Sequence, residues 1–390
     1  MDDFDKKKPS VLILLPHFLP GYKMGGPLTS ILHIISNLSP FFDFKVLTSD
    51  RDMGDETPYE NIPTNTWTEK DEYEVCYVNS GKSKVREMVK FINNSEADSV
   101  YLNSLFDPVF SIAIAVLAKF GVVKAKKIII APRGEVFDEA LNFKKTKKKF
   151  YLAFAKLFKV YSKVTWHAST EHEKAFVVKK LGVNPDQIKV ALNLPAKSDK
   201  PTLLPSDKKK EEDILYIVFI ARVSKDKNLI YTFDILKEIK TKVIFDIYGP
   251  LEDDFIWEAC KEKIAKLPDN VKVNYNGPLA STSVRKTFND YDLMFMPTFA
   301  ENYGHAIVEC LTMGTPVLIS DNTPWRELEK QNLGYDISLD EPATFVDAVR
   351  QMASLSQEEK LANRKKRIED FYLVLNDGKT LEANKKLFTI

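Results

Sequence analysis

Short apolar runs alternate with longer amphipathic segments through the first half of the chain. Runs of a strand's length lie at residues 11–15, 44–47, 99–102 and 128–131, and each is followed by a turn and by apolar positions at helical spacing. This repetition is typical of a parallel sheet whose faces are covered by helices. We therefore predict a doubly wound α/β domain over residues 1–195.

The alternation stops after Pro195 and starts again near residue 214. From Pro195 to Asp213 the chain holds three prolines, many lysines and few apolar residues, without periodicity, which indicates a linker over residues 196–213. A second doubly wound domain is predicted over residues 214–370, and a helical segment over 371–390 is expected to pack back on the first domain. The second set of strand-like runs lies at residues 214–220, 243–248, 271–275, 293–296 and 316–319. Doubly wound sheets bind ligands at the carboxyl ends of their strands.

Composition agrees with two domains and indicates a reducing compartment. A chain of 390 residues that is 44% apolar is too long for one ordinary core. Cys76, Cys260 and Cys310 lie far apart without CxxC spacing, which argues against disulfides and a zinc site. The first apolar run is only a strand's length, and the longest, over residues 109–117, is too short to span a bilayer and is predicted to be a buried helix. We expect a cytoplasmic protein without a secretory signal.

Candidate chemistry concentrates between Pro297 and Asp321, in the sequence PTFAENYGHAIVECLTMGTPVLISD. Glu301 is predicted in a loop after a strand, and Glu309 two turns into the following helix, so that both carboxylates point the same way. The start of this helix offers backbone N–H groups suited to a pyrophosphate or to sugar hydroxyls. Two glutamates at this spacing also fit a solvated helix face, but the strand-loop-helix setting favours a ligand site. The other candidates around the helix start are Asn302, Tyr303, Gly304 and His305.

These residues resemble a known family. AENYGHAIVEC is similar to the Glu-x7-Glu motif of the retaining glycosyltransferases of GT-B fold, family 4 (glycosyl transferases group 1). FIARVSKDKNL resembles the strand-loop-helix that supplies an arginine and a lysine to the donor diphosphate, here Arg222 and Lys227. FLPGYKMGGPLTSILHI resembles the glycine-rich loop of the amino-terminal domain, with Gly25 and Gly26 at the start of a helix. APRGEVFDEAL, HASTEHE and Asn193 resemble segments of members that build surface polysaccharides, so the resemblance covers nearly the whole chain.

The resemblance implies two Rossmann-like domains that face each other across a cleft, and retaining transfer of a hexose. The donor would be a UDP- or GDP-linked sugar, and the acceptor a glycan or lipid-linked glycan in surface polysaccharide or lipopolysaccharide assembly. Arg222 and Lys227 would stabilise the charge that grows on the β-phosphate, without a metal or cofactor. Glu301 would contact hydroxyls of the transferred sugar, and Glu309 would hold the donor ribose.

The chain departs from the best-known family pattern in the amino-terminal half. Arg133 and Gly134 stand where many members place a histidine that faces the sugar. We therefore take Arg133, Gly134 and His17 as candidates on the acceptor side. Asp50 and Asp52 form an acid-x-acid triplet, which holds a metal in another glycosyltransferase fold, but such triplets recur by chance here and we assign no metal.

Two other functions fit the same fold. A nucleotide-sugar epimerase or hydrolase would need further carboxylates and histidines that face the sugar, and the sequence offers none that can be placed. A non-catalytic scaffold partner would have no need to keep Glu301, Glu309, Arg222 and Lys227 together. We therefore favour the transferase.

Positive charge is concentrated in one part of the chain. The net charge of the whole chain is +1, but the part up to Lys200 carries +6 and the remainder carries −5. Between Lys119 and Lys163 there are 13 basic and 3 acidic residues. The segment from Lys144 to Lys163 mixes lysines with aromatic residues at roughly helical spacing. It suits a basic amphipathic helix on an anionic membrane, at the inner face, or equally a core helix with a solvated lysine face. Nucleic-acid binding is disfavoured, because the chain is nearly neutral and lacks a recognition motif.

Overall fold

The computed structural model describes residues 8–81, 83–138, 141, 145–197, 203, 210–376 and 378–389. The chain divides into two compact units, Met1–Lys197 with Gly378–Ile390, and Ser198–Asp377. Most of the predicted linker at 196–213 lies outside the described residues, as does Lys144.

The first unit contains an eight-stranded sheet in the order β3-β4-β2-β1-β5-β6-β7-β8. All neighbours are parallel except β3 and β4, which are antiparallel. The strands are β1 (Ser10–Leu14), β2 (Asp43–Ser49), β3 (Trp67–Glu69), β4 (Tyr73–Val78), β5 (Ser99–Leu102), β6 (Lys127–Ile130), β7 (Val164–Ala168) and β8 (Ile188–Val190). Helices join them: α1 (Gly26–Leu38), α2 (Lys84–Asn94), a π-helix (Pro108–Ala113), α3 (Ile114–Lys119), α4 (Lys145–Leu157) and α5 (Glu171–Leu181).

The second unit contains a six-stranded parallel sheet in the order β11-β10-β9-β12-β13-β14. Its strands are β9 (Ile214–Ile220), β10 (Lys242–Tyr248), β11 (Val271–Tyr275), β12 (Leu293–Met296), β13 (Val317–Ser320) and β14 (Gly334–Ile337). Its helices are α6 (Leu229–Leu236), α7 (Asp254–Ile264), α8 (Ser281–Phe288), α9 (His305–Thr312), α10 (Pro342–Ser354) and α11 (Gln357–Leu375). Central strand β9 is buried at six of its seven positions, because helices cover both faces of the sheet.

The chain returns to the first unit at its end. Helix α12 (Lys379–Phe388) packs against α1, and the Phe388 ring lies 5.6 Å from Phe42 and 5.6 Å from Tyr101, centroid to centroid. Helix α11 continues through residue 370 to Leu375, so residues 371–375 belong to the second unit rather than to the returning segment.

The two parallel α/β sheets confirm the fold class predicted from the pattern of apolar runs. The apolar stretch at residues 109–117 forms part of the π-helix and α3, with Phe110 and Ile114 buried. Over the described part of the chain, every helix is too short or too polar to cross a membrane.

Candidate functional site

Arg222 and Lys227 lie in the loop that follows central strand β9, at the carboxyl edge of the second sheet. This loop is hydrogen-bonded to the loop after β12. The carbonyl of Asp226 accepts hydrogen bonds from the Thr298 hydroxyl at 2.8 Å and from the backbone N–H of Phe299 at 2.8 Å. Two segments that are about 70 residues apart in sequence are thereby held side by side, as the topology of a doubly wound sheet allows.

The Lys227 ammonium is buried and paired with a predicted site residue. Its Nζ lies 2.8 Å from Oε2 of Glu301 and 3.4 Å from Oδ2 of Asp226. Burial alone would lower the pKa of Lys227, but the two carboxylates outweigh it and raise that pKa, so the lysine carries its charge. The structure thus joins Lys227 and Glu301 in one ion-pair group.

Arg222 is more exposed and also has acidic partners. Its guanidinium donates to both carboxylate oxygens of Glu252, at 2.7 and 2.5 Å, and lies 3.9 Å from Asp226. Asp226 therefore touches both predicted cations. Neither Asp226 nor Glu252 was singled out from the sequence, since one acidic residue in a charged βα loop gives no distinctive signal.

Gly304 makes the turn from the Glu301 loop into helix α9. It has φ +78, and a Cβ there would lie 2.7 Å from a methyl carbon of Ile307 and 3.2 Å from Cγ of Glu301, so this position favours glycine. Asn302 donates its backbone N–H to Oε1 of Glu301 at 3.1 Å. His305 is the first residue of the helix, at the end of the stretch 303–305 where the helix start was expected.

Tyr303 and Glu309 form a second, more enclosed part of this region. The Tyr303 side chain is 2% exposed and packs against the rings of His305 and Trp325, so it does not line the surface. Its hydroxyl has no hydrogen-bond partner among the described residues, and burial, with Glu309 nearby, raises its pKa. Burial likewise raises the pKa of Glu309 to about 7, although Arg285 opposes the shift.

The glycine-rich loop opens helix α1 at the carboxyl edge of the first sheet. Gly25 caps the helix with φ +62, a conformation that favours glycine, and Gly26 is the first helical residue. The buried Asp52 carboxylate fixes this loop by accepting the backbone N–H groups of Tyr22 at 2.9 Å and Lys23 at 3.2 Å.

His17 and Asp50 lie beside that loop. Nδ1 of His17 donates to the carbonyl of Arg51 at 3.0 Å. Asp50 accepts a hydrogen bond from the Ser80 hydroxyl at 2.8 Å and pairs with the Arg51 guanidinium at 2.9 Å. The acid-x-acid triplet thus has a structural use, and the described residues contain no group of three or more side chains arranged to hold a metal ion.

Arg133 is turned into a buried polar network. Its Nε donates to Asn103 at 2.7 Å, one terminal nitrogen donates to Asn193, and the other donates to the Tyr101 hydroxyl at 2.8 Å. That hydroxyl donates to Nδ1 of His167 at 2.6 Å. Burial, and next the Arg133 charge, lower the pKa of His167 to about 3, so the imidazole is neutral and can accept.

Two carboxylates fix the loop that carries Arg133 and Gly134. Glu173 accepts the backbone N–H of Gly134 at 2.6 Å and that of Ser169 at 2.7 Å, and Glu135 accepts the N–H of Leu105 at 2.5 Å. Burial raises the pKa of both carboxyl groups. Their oxygens are used for holding backbone, which leaves them poorly suited to attack a sugar.

The sequence family agrees with this arrangement. Residues 202–370 match the glycosyl transferases group 1 family, and the match contains Arg222, Lys227, Glu301 and Glu309. The match lies within the second unit.

Solved structures that are similar to this chain cover both of its units. HepE of Anabaena, solved with UDP-glucose, covers 97% of the chain and 98% of its own, with a TM-score of 0.67 at 14% identity. Sucrose-phosphate synthase of Thermosynechococcus elongatus covers 98% of this chain and 98% of its own, with a TM-score of 0.69 at 13% identity. The lipopolysaccharide outer core galactosyltransferase WaaB covers 97% of this chain and 98% of its own, with a TM-score of 0.61 at 16% identity. The predicted GT-B fold is confirmed by this likeness.

One curated relative is similar in sequence. An uncharacterized 41.2 kDa protein in the cps region of Klebsiella pneumoniae is 24% identical over 239 residues, which are 60% of this chain. The alignment spans 63% of that relative's length.

Proposed function

We propose that this protein is a retaining glycosyltransferase that moves a sugar from a nucleoside-diphosphate sugar to a glycan acceptor. The observation that carries the proposal is the group formed by Arg222, Lys227 and Glu301 within a group 1 family match. A relative in a cps region and a structural neighbour in lipopolysaccharide synthesis support an acceptor in surface polysaccharide or lipopolysaccharide assembly. HepE, solved with UDP-glucose, supports a UDP-linked donor.

The proposed mechanism uses fixed positive charge on the leaving group. The bond between the sugar C1 and the β-phosphate oxygen breaks, and its electron pair stays on that oxygen, where Arg222 and Lys227 stabilise it. The N–H groups at the start of α9 add further positive potential, so no divalent metal is needed. Glu301 orients hydroxyls of the transferred sugar, while Gly25 and Gly26 let the backbone approach the diphosphate.

We propose that the acceptor attacks on the face that the diphosphate leaves. The acceptor hydroxyl oxygen bonds to C1, and its proton passes to a leaving-phosphate oxygen, which retains the anomeric configuration. The engagement of Glu135 and Glu173 with backbone N–H groups supports a path without a protein nucleophile. Arg133, Gly134 and His17 are proposed to lie on the acceptor side.

Donor affinity is expected to rise with pH because of Glu309. In the free protein its pKa is about 7, and the ionised carboxylate is the better acceptor for the two ribose hydroxyls. Its ionised fraction grows about tenfold between pH 6 and pH 8, so the donor dissociation constant should fall by up to about tenfold over that interval and then level off.

Calorimetric titration with UDP-, GDP- and ADP-sugars in EDTA buffer would test both the function and this dependence. Glu309→Gln should bind more weakly at pH 8 and lose the pH dependence. The matched control Glu258→Gln, at an exposed position of α7, should behave as the wild type. If no nucleotide sugar binds, the proposed function is wrong; a pH-independent wild-type affinity would remove only the role of Glu309.

Helix α4 supports the membrane alternative over the solvated lysine face. Its inner side is formed by Tyr151, packed on Phe106, and by the buried Ala155. Its outer side presents an apolar row with helical spacing: Phe150, Phe154 and Leu157, of which Phe150 and Leu157 are 77% and 76% exposed. Exposed Lys147, Lys149 and Lys156 flank that row. We propose that α4 docks on an anionic lipid surface, beside a lipid-linked acceptor.

Vesicle co-sedimentation should detect this docking. The wild type should pellet with anionic vesicles at low salt, less at high salt, and not with neutral vesicles, because the lysines contribute about 1 kcal/mol each. A Phe150→Ser, Leu157→Ser variant, and a triple serine variant of Lys147, Lys149 and Lys156, should both be released. Phe255→Ser, equally exposed at 81% but in the second unit, is the control. Wild type left in the supernatant with anionic vesicles at low salt would refute the proposal.

A further inference from the structure

The cations proposed to bind the diphosphate are outnumbered by carboxylates. Arg222 and Lys227 supply two positive charges, and Glu252, Asp226 and Glu301 supply three negative charges within ion-pair distance of them. The group therefore carries a net negative charge when empty. A doubly charged diphosphate cannot be bound well there unless one carboxylate moves away.

Two of the carboxylates are held in place by other contacts. Asp226 accepts the Ser224 hydroxyl at 2.6 Å besides lying near both cations. Glu301 accepts the Asn302 backbone N–H besides its bond to the largely buried Lys227. Moving either one would break contacts inside the site.

Glu252 is the carboxylate whose displacement would break the fewest contacts. Its side chain is 50% exposed, and within the described residues both of its hydrogen bonds come from Arg222. Its backbone is fixed separately, because its N–H donates to the carbonyl of Val223 at 3.2 Å. Rotation of the side chain alone would free the guanidinium without moving the loop.

We propose that Glu252 is an internal counter-ion that occupies Nη1 of Arg222, a proposed phosphate-binding group, in the empty site. Both carboxylate oxygens of Glu252 accept from Nη1 of Arg222, so this carboxylate takes the place of an anionic phosphate oxygen on that nitrogen. Diphosphate binding displaces Glu252 into solvent, and its return favours release of the nucleoside diphosphate product. Glu252 thereby sets the affinity of the site, an inference that rests on the proposed function of Arg222.

The inference can be tested by calorimetric titration with UDP, GDP and ADP, continuing with whichever binds most tightly. Glu252→Gln should tighten binding by about two- to fivefold, the range expected for loss of an exposed ion pair. Arg222→Ala should weaken binding. In the Arg222→Ala background, Glu252→Gln should have no further effect, because there is no guanidinium left to release. Glu258→Gln, an exposed acidic residue paired with Lys261, is the matched control.

The outcomes separate the two proposals. If none of the three nucleotides binds, or Arg222→Ala leaves affinity unchanged, the assignment of the diphosphate site is wrong and the inference falls with it. If Arg222→Ala weakens binding but Glu252→Gln does not tighten it, only the counter-ion role is wrong. The counter-ion role is also refuted if Glu252→Gln tightens binding as much in the Arg222→Ala background as in the wild type. The effect of Glu252 would then be general repulsion between its charge and the nucleotide.

Discussion

Replacement of Lys227 by alanine is expected to lower kcat for sugar transfer about 10²- to 10³-fold, the loss that follows removal of one preorganised transition-state donor. The ammonium lies in a mostly buried position between Glu301 and Asp226. Without it, the departing phosphate would meet two carboxylates and lose a charge-assisted hydrogen bond. The effect should therefore be larger on kcat than on donor affinity.

Single-turnover assays of folded protein would measure this loss. Lys225→Ala is the matched control, because Lys225 is an exposed lysine of the same short 3₁₀ turn and forms no ion pair with the described residues of the site. Thermal unfolding of both variants would separate a catalytic defect from a folding defect. A folded Lys227→Ala variant with kcat within about threefold of the wild type would exclude Lys227 from the chemistry.

Strands that are buried on both faces could be predicted from the sequence, since they appear as continuous apolar runs. The second-domain run at residues 214–220 coincides with β9, the centre of its sheet. Strands β4 and β14 were not predicted, because β4 contains Glu74 and β14 begins at Gly334 and contains Asp336. At or near the edge of a sheet, polar residues interrupt the apolar run in the sequence without ending the strand.

Strand β7 shows how a buried polar residue hides a strand. His167 breaks its apolar run, yet the imidazole is 1% exposed. The side chain is tolerated because the Tyr101 hydroxyl donates to Nδ1 and Nε2 donates to the carbonyl of Ala191 at 2.8 Å. Those partners come from other strands and loops, so they cannot be predicted from the sequence around His167.

The candidate site was predictable as a set of residues but not as a set of pairs. Motif context selected Arg222, Lys227 and Glu301. In the structure both cations contact Asp226, and Lys227 also pairs with Glu301. That Glu301 binds Lys227 depends on how the loops after β9 and β12 meet, which is a property of the folded sheet. Glu252 lies in a third loop and could not be linked to Arg222 from spacing alone.

Replacement of Gly249 by alanine is expected to destabilise the second unit by about 2–5 kcal/mol, the sum of about 1–3 kcal/mol for overpacking and about 1–2 kcal/mol for backbone strain. Gly249 follows β10 and has φ +143, a conformation that disfavours any side chain. A Cβ there would lie 1.9 Å from the carbonyl oxygen and 2.6 Å from the carbonyl carbon of Ala221. These atoms are backbone, so the loop that carries Arg222 would have to shift.

Urea unfolding would measure the loss, and Gly277→Ala is its control. Gly277 also has a positive φ, of +74, and its carbonyl accepts the Gly249 N–H at 2.9 Å, but a Cβ at Gly277 would meet no atom within 4 Å. Gly277→Ala should therefore show only the backbone strain, about 1–2 kcal/mol, whereas Gly249→Ala adds the steric overlap. Because the overlap is with the residue before Arg222, Gly249→Ala should also weaken nucleotide binding and Gly277→Ala should not. Equal stability losses in the two variants would mean that the added Cβ at residue 249 does not displace Ala221. The close approach of Gly249 to Ala221 would then not be what holds Arg222 in place.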